Sequence, residues 1–198
     1  IADRIRSGFP YEATAGQERA IRSLASFLTD PDPSSLYLLK GYAGTGKTSL
    51  VSSLVQLLRQ YRIQTVLLAP TGRAAKVLGS YAGKRAHTIH KAIYMQKMHP
   101  DGSISLELMA NQMKRTLFIV DEASMITDES SGHGLFPGRR LLADLFEFIY
   151  RGEGCRLLLI GDTAQLPPVG LSLSPALDPA GLKAAFHVKV YEEELRDV

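Results

Sequence analysis

Gly41-Tyr-Ala-Gly-Thr-Gly-Lys-Thr48 stands between an apolar run, Leu36 to Lys40, and a stretch from Thr48 to Tyr61 whose Leu50, Leu54, Leu57 and Leu58 recur on one helical face. The pattern GxxxxGK followed by Ser or Thr matches at Gly41, Gly46, Lys47 and Thr48. Average residue frequencies make a chance match in such a chain about one in a hundred. A strand before the loop and a helix after it make chance less likely still. Glycines let successive backbone N–H groups, from Ala43, Gly44, Thr45 and Gly46 through Lys47, Thr48 and Ser49, turn toward one point. There the helix N-terminus adds positive potential, and such a nest binds phosphates. Lys47 would neutralise the outer phosphates of a nucleotide, and the Thr48 hydroxyl would be a ligand of Mg²⁺.

Outward from the loop, the chain alternates helical periodicity with short apolar runs, which argues for a parallel sheet with helices on both faces, the α/β class. Thr14 to Thr29 reads as a helix, with Ile21, Leu24, Phe27 and Leu28 on one face and Asp30-Pro31 as a stop. Thr65 to Ala69 reads as a strand ended by Pro70, and Ala74 to Tyr81 and Thr88 to Met95 read as helices. Residues from about 97 to 115, with a turn at Pro100-Asp-Gly-Ser103, are less periodic and suggest a small inserted hairpin. Met95, Met98, Met109 and Met113 would fill a small core there.

Leu117 to Val120 and Leu157 to Ile160 are continuous apolar runs that end at acidic residues, as central strands covered on both faces do. Ser130 to Gly134 and Pro137-Gly138 form a glycine-rich loop before a helix from Leu141 to Tyr150. Asp121 would give the phosphate site a second metal contact. Glu122, one residue on, points differently and can orient or deprotonate an attacking water, which makes hydrolysis the natural reaction.

The bulk numbers bound the rest. At 198 residues and 45% hydrophobic composition, the chain reads as one domain with a full core. Its formal charge of +3 is compatible with a nucleic-acid partner and common among proteins that have none. A single cysteine, Cys155, forms no internal disulfide, no apolar stretch is long enough for a membrane span, and no signal pattern opens the chain, so the expected setting is cytoplasmic. His87 and His90 have no cysteine or third clustered ligand beside them, so a zinc site is not expected.

The third apolar run decides between phosphate-loop families. Leu157-Leu-Leu-Ile-Gly-Asp-Thr-Ala-Gln-Leu-Pro-Pro-Val-Gly170 resembles motif III of superfamily 1 DNA helicases. Asp121 to Met125 resembles motif II, Leu68 to Lys76 motif Ia, and Ala86 to His90 motif Ib of the RecD-like 5′-to-3′ branch, in the same order. The likeness covers about residues 10 to 198 and implies the first RecA-like motor domain of such a helicase. It implies ATP and Mg²⁺ as cofactors, single-stranded DNA as partner, and a repair or recombination setting that includes nuclease complexes of the RecBCD kind. By position, Gln17 would read adenine through its one donor and one acceptor. Gln165 would touch the γ-phosphate or the attacking water, with Asp162 as support. Pro70, Thr71 and Arg73, with Thr88 and His90, would hold DNA phosphates without reading bases, and Lys76 and Lys91 are weaker candidates.

Such helicases complete the site with arginines from a second motor domain, which these 198 residues do not contain. Glu194 to Val198 runs into the start of the segment that leads there, and Arg196 does not align with the expected arginine. Arginines of that kind contribute about 10³ to 10⁵ in rate. The chain alone is therefore expected to bind nucleotide but to hydrolyse little and unwind nothing. Two other readings compete: a phosphate-loop kinase for small molecules, which the Asp121-Glu122 pair and the motif III string argue against, and a non-catalytic DNA-binding module that uses ATP as a switch, which Glu122 and Gln165 argue against.

Overall fold

A computed structural model describes residues 1–9, 12–127, 140–165 and 174–197. The expected loop at Ser130 to Gly134 and Pro137-Gly138, and the Leu166 to Gly170 part of the motif III string, lie outside the described residues. The elements follow in the order α1 (Ala2–Ser7), α2 (Ala15–Thr29), β1 (Ser35–Gly41), α3 (Lys47–Gln60), β2 (Gln64–Ala69), α4 (Gly72–Ala82), β3 (Ala86–Thr88) and α5 (Ile89–Ile93). Then come β4 (Tyr94–Met98), β5 (Ile104–Leu108), β6 (Thr116–Val120), α6 (Leu141–Tyr150), β7 (Arg156–Gly161), α7 (Pro179–Phe186) and β8 (Lys189–Leu195).

Strands β3, β2, β6, β7, β1 and β8 lie side by side in that order in a six-stranded sheet, and every pairing is parallel. Because side chains alternate across a strand, one apolar run serves two cores. Leu36, Leu38, Phe118, Val120, Leu157 and Leu159 pack under α5, α6 and α7. Tyr37, Leu39, Leu117, Ile119, Leu158 and Ile160 pack under α1 to α4. Burying each such leucine or phenylalanine stabilises the fold by roughly 1.5–3 kcal/mol.

The expected α/β sheet with helices on both faces is present. The hairpin is present as an antiparallel pair, β4 with β5, and occupies Tyr94–Leu108. Two local expectations fail. The stretch from Thr88 to Met95 is helical only over Ile89–Ile93, because Tyr94 and Met95 open β4. Met95 and Met98, on β4, and Met113, between β5 and β6, do not fill a core: they are 51%, 75% and 40% exposed. Only Met109 packs against the main core.

Candidate nucleotide-binding site

The chemistry gathers at the C-terminal edge of the parallel sheet, where an open α/β fold binds ligands. The phosphate loop leaves β1 and enters α3 through Gly46, whose φ of +88° is a conformation glycine adopts without strain. A Cβ at Gly46 would lie 2.4 Å from Gln17 Nε2, and one at Gly41 would lie 2.6 Å from the carbonyl oxygen of Leu195. Both glycines are thus fixed by neighbours as well as by backbone. The Thr45 hydroxyl donates to the Tyr42 carbonyl at 2.8 Å and is buried, so that side chain closes the loop. Lys47 Nζ donates to the carbonyls of Gly41 and Tyr42 at 2.6 and 2.7 Å.

A pocket of about 440 Å³ opens over this loop, lined by Ala43, Gly44, Gly46, Lys47, Thr48 and Ser49, and closed from the other strands by Asp121, Glu122, Asp162 and Gln165. Burial lowers the pKa of Lys47, and the charges of Asp162, Asp121 and Glu122 act against that shift. Lys47 is the one cation lining the pocket among the described residues. First-turn N–H groups of α3 have no intrahelical acceptor and are available to an anion.

Asp121 and Glu122 end β6. Asp121 Oδ1 accepts from the Glu122 N–H at 2.9 Å, and Glu122 sits at φ +55°, a left-handed conformation uncommon outside glycine. That turn sends the two carboxylates different ways, as the sequence suggested. Gln165, beyond the end of β7, donates from Nε2 to Glu122 Oε2 at 2.9 Å and accepts from the Ser124 hydroxyl at 2.8 Å. Asp162 accepts from the Ala164 N–H at 2.8 Å, holding the turn between β7 and Gln165.

Two features were not anticipated. Gln17, the third residue of α2, closes a capping box with Thr14: its Oε1 accepts from the Thr14 N–H at 3.0 Å, while its Nε2 donates to the Thr45 carbonyl at 3.1 Å. The amide ties the helix start to the phosphate loop and retains one N–H and one carbonyl lone pair for a base edge. The T-x-x-Q spacing from Thr14 to Gln17 signals such a box. Tyr81, near the end of α4, donates its hydroxyl to Asp121 Oδ2 and lines the pocket with Val77. Burial raises the Tyr81 pKa, and the adjacent Asp121 charge raises it further. A tyrosine 40 residues before its partner in sequence carries no motif that would reveal it.

The DNA candidates lie on the neighbouring strands of the same edge. Register pairs Ala69 with Thr88 and Leu68 with both His87 and Val120, so Pro70 to Arg73, Thr88 to His90 and Asp121 end adjacent strands. Thr71 caps α4 by accepting from Ala74 N–H, and Thr88 caps α5 by accepting from Lys91 N–H. Arg73 and His90 are exposed, and partial burial of the His90 ring lowers its pKa. A groove beside them is lined by Lys76, Lys84, Arg85, His87, Thr88 and Lys91. Lys84 there is engaged with the Thr65 hydroxyl at 2.9 Å. Arg196 pairs with Glu194 at 2.7 Å.

Thr48, Asp121 and the nearby carboxylates form a set of hard oxygen donors, and no cluster of three or more His, Cys, Asp or Glu side chains suited to a metal occurs among the described residues. The hydroxyl of Thr48 and the carboxylate of Asp121 are donors of the kind that would hold Mg²⁺, which binds through one or two carboxylates together with substrate phosphates. Cys155 is free and buried, and no helix among the described residues is long and apolar enough to cross a membrane.

Comparison with known proteins identifies the family. The family described as "AAA domain" matches residues 12–173. The chain is 34% identical over 138 residues to the ATP-dependent RecD2 DNA helicase of Deinococcus radiodurans, covering 70% of this chain and 17% of that protein. It is 29% identical over 164 residues to the ATP-dependent DNA helicase dda of Enterobacteria phage T4, covering 81% of this chain and 34% of that protein. The chain thus spans about a third or less of these relatives. The structure of Pif1 helicase from Bacteroides in complex with ADP-AlF3 and ssDNA superposes with a TM-score of 0.53 at 18% identity, covering 95% of this chain and 43% of that one, and so shares the fold. The chain belongs to the AAA domain family, as a motor domain of the RecD/Pif1-like superfamily 1 helicase type.

Proposed function

We propose that this chain is the nucleotide-binding motor domain of an ATP-dependent DNA helicase that moves 5′ to 3′ along single-stranded DNA in the cytoplasm, in a repair or recombination setting. The observation that carries the reading is the Gln165–Glu122 hydrogen bond at 2.9 Å inside the phosphate-loop pocket. A glutamine from motif III thereby holds the carboxylate placed to receive a proton from water.

In this reading the loop N–H groups and Lys47 bind the phosphates, and Gln17 uses its remaining donor and acceptor on adenine. Thr48 and Asp121 would hold Mg²⁺, whose positive charge would offset that of the phosphate oxygens. Glu122 orients and deprotonates the attacking water, while Ser124 fixes Gln165 and Gln165 fixes Glu122. Pro70, Thr71, Arg73, Thr88 and His90 hold the DNA backbone one and two strands away. Since Lys47 is the one cation lining the described pocket, this chain alone binds nucleotide and turns it over slowly, and partners such as a second motor domain or a nuclease complex supply the remainder.

Single-turnover phosphate release with the chain in excess over ATP tests the assignment. Glu122→Gln should slow release about 10²-fold and leave nucleotide affinity unchanged. Undiminished release by that variant would remove Glu122 from the chemistry, and brisk multiple turnover by the wild-type chain would contradict the need for outside arginines.

A further inference from the structure

We propose that Tyr81 is a positioning residue for Asp121, a divalent-metal ligand of the nucleotide site, a role that rests on the reading above. Its hydroxyl donates to Asp121 Oδ2, and its side chain lines the same pocket as Thr48. Asp121 Oδ1 is taken by the Glu122 N–H at 2.9 Å. With each carboxylate oxygen engaged once, the side chain cannot rotate freely, yet each oxygen keeps lone-pair capacity.

The phenol itself is held in place. Tyr81 lies in the last turn of α4, where side chains tilt back toward the helix start and hence toward the strand ends. Its carbonyl accepts from the Ser52 hydroxyl of α3 at 3.1 Å, which ties it to the helix that begins at the phosphate loop. Its ring packs against the core cluster formed by α1 to α4 and the sheet. A phenylalanine would supply that packing equally well; the hydroxyl is needed only by the Asp121 carboxylate it touches. Outer partners of this kind commonly set metal affinity by fixing the ligands' orientation.

The test uses the 198-residue chain with ADP and Mn²⁺ as the probe, free Mn²⁺ being read by electron paramagnetic resonance. Tyr81→Phe should weaken Mn²⁺ binding to the ADP-bound chain about tenfold, while ADP affinity in EDTA and the thermal midpoint stay at wild-type values. Tyr81→Leu should lose at least as much. Unchanged or tighter Mn²⁺ binding in Tyr81→Phe overturns the proposal, as does a loss confined to Tyr81→Leu, which assigns the effect to packing. Failure of the underlying site is distinct from these: a wild-type chain with no ADP-dependent Mn²⁺ site, indistinguishable from Asp121→Asn, refutes the nucleotide reading and this role with it.

Discussion

Two halves of one sheet edge are built in opposite ways. Around β1, β6 and β7, nearly every polar side chain is already engaged by another: Lys47 with loop carbonyls, Gln17 with Thr45, Tyr81 with Asp121, Gln165 with Glu122 and Ser124. Around β2 and β3, the threonines only cap their own helices, and Arg73, His90, Lys76 and Lys91 stand at the surface. Chemistry at a phosphorus atom requires groups fixed before the substrate arrives. A chain of repeating phosphates needs mobile charges that accept any sequence. On the proposed function, the difference in hydrogen bonding is the difference between a reaction site and a track.

The sharpest way to break this contrast is Lys47→Ala. Removing a half-buried cation that answers phosphate charge should weaken ATP binding about 100-fold, while single-stranded DNA affinity measured without nucleotide stays the same; an equal loss of both would mean that the halves are one site. Gly46→Ala comes next. A Cβ 2.4 Å from Gln17 Nε2, at a φ of +88°, should lower stability in a denaturant melt by about 1–3 kcal/mol, with a parallel loss of nucleotide affinity as the Gln17 contact breaks. Wild-type stability would show that the loop relaxes freely, contrary to the preorganisation argued for that half. The smallest effect is expected on the track. Arg73→Ala should reduce the salt dependence of single-stranded DNA binding by about 0.7 in log–log slope, the amount for one phosphate, and leave ATP binding untouched. A slope that does not change would remove Arg73 from the track.

The same contrast explains what the amino-acid sequence reveals. Gly41, Gly46, Lys47 and Thr48 are legible because backbone geometry and charge leave few substitutes, and β6 and β7 are legible because both faces are buried. Edge strands are harder to read. β8 carries Glu192, Glu193 and Glu194, pairs only with β1, and so lacks a continuous apolar run, while β3 is three residues long. Within the site, the helicase resemblance puts Gln165 at the γ-phosphate or the attacking water, but its contact with Glu122 was not expected, because 43 residues separate the pair. Tyr81 was hidden for a different reason: on a helix with Leu78 and Ala82 buried, an aromatic residue reads as core until its hydroxyl's partner is known. In the hairpin the error ran the other way, since methionines that look like core in composition face solvent on a two-stranded ribbon.

The register of the parallel sheet carries a mechanical consequence. From β2 to β1 there are three inter-strand steps, roughly 14 Å, spanned by a slab with apolar packing above and below. Phosphate loop and candidate DNA contacts therefore hang from one stiff frame, and neither can travel far relative to the other without shearing both cores. If nucleotide turnover performs work on DNA through this unit, the displacement must arise where the frame meets another body. The frame itself acts as the arm that carries the grip.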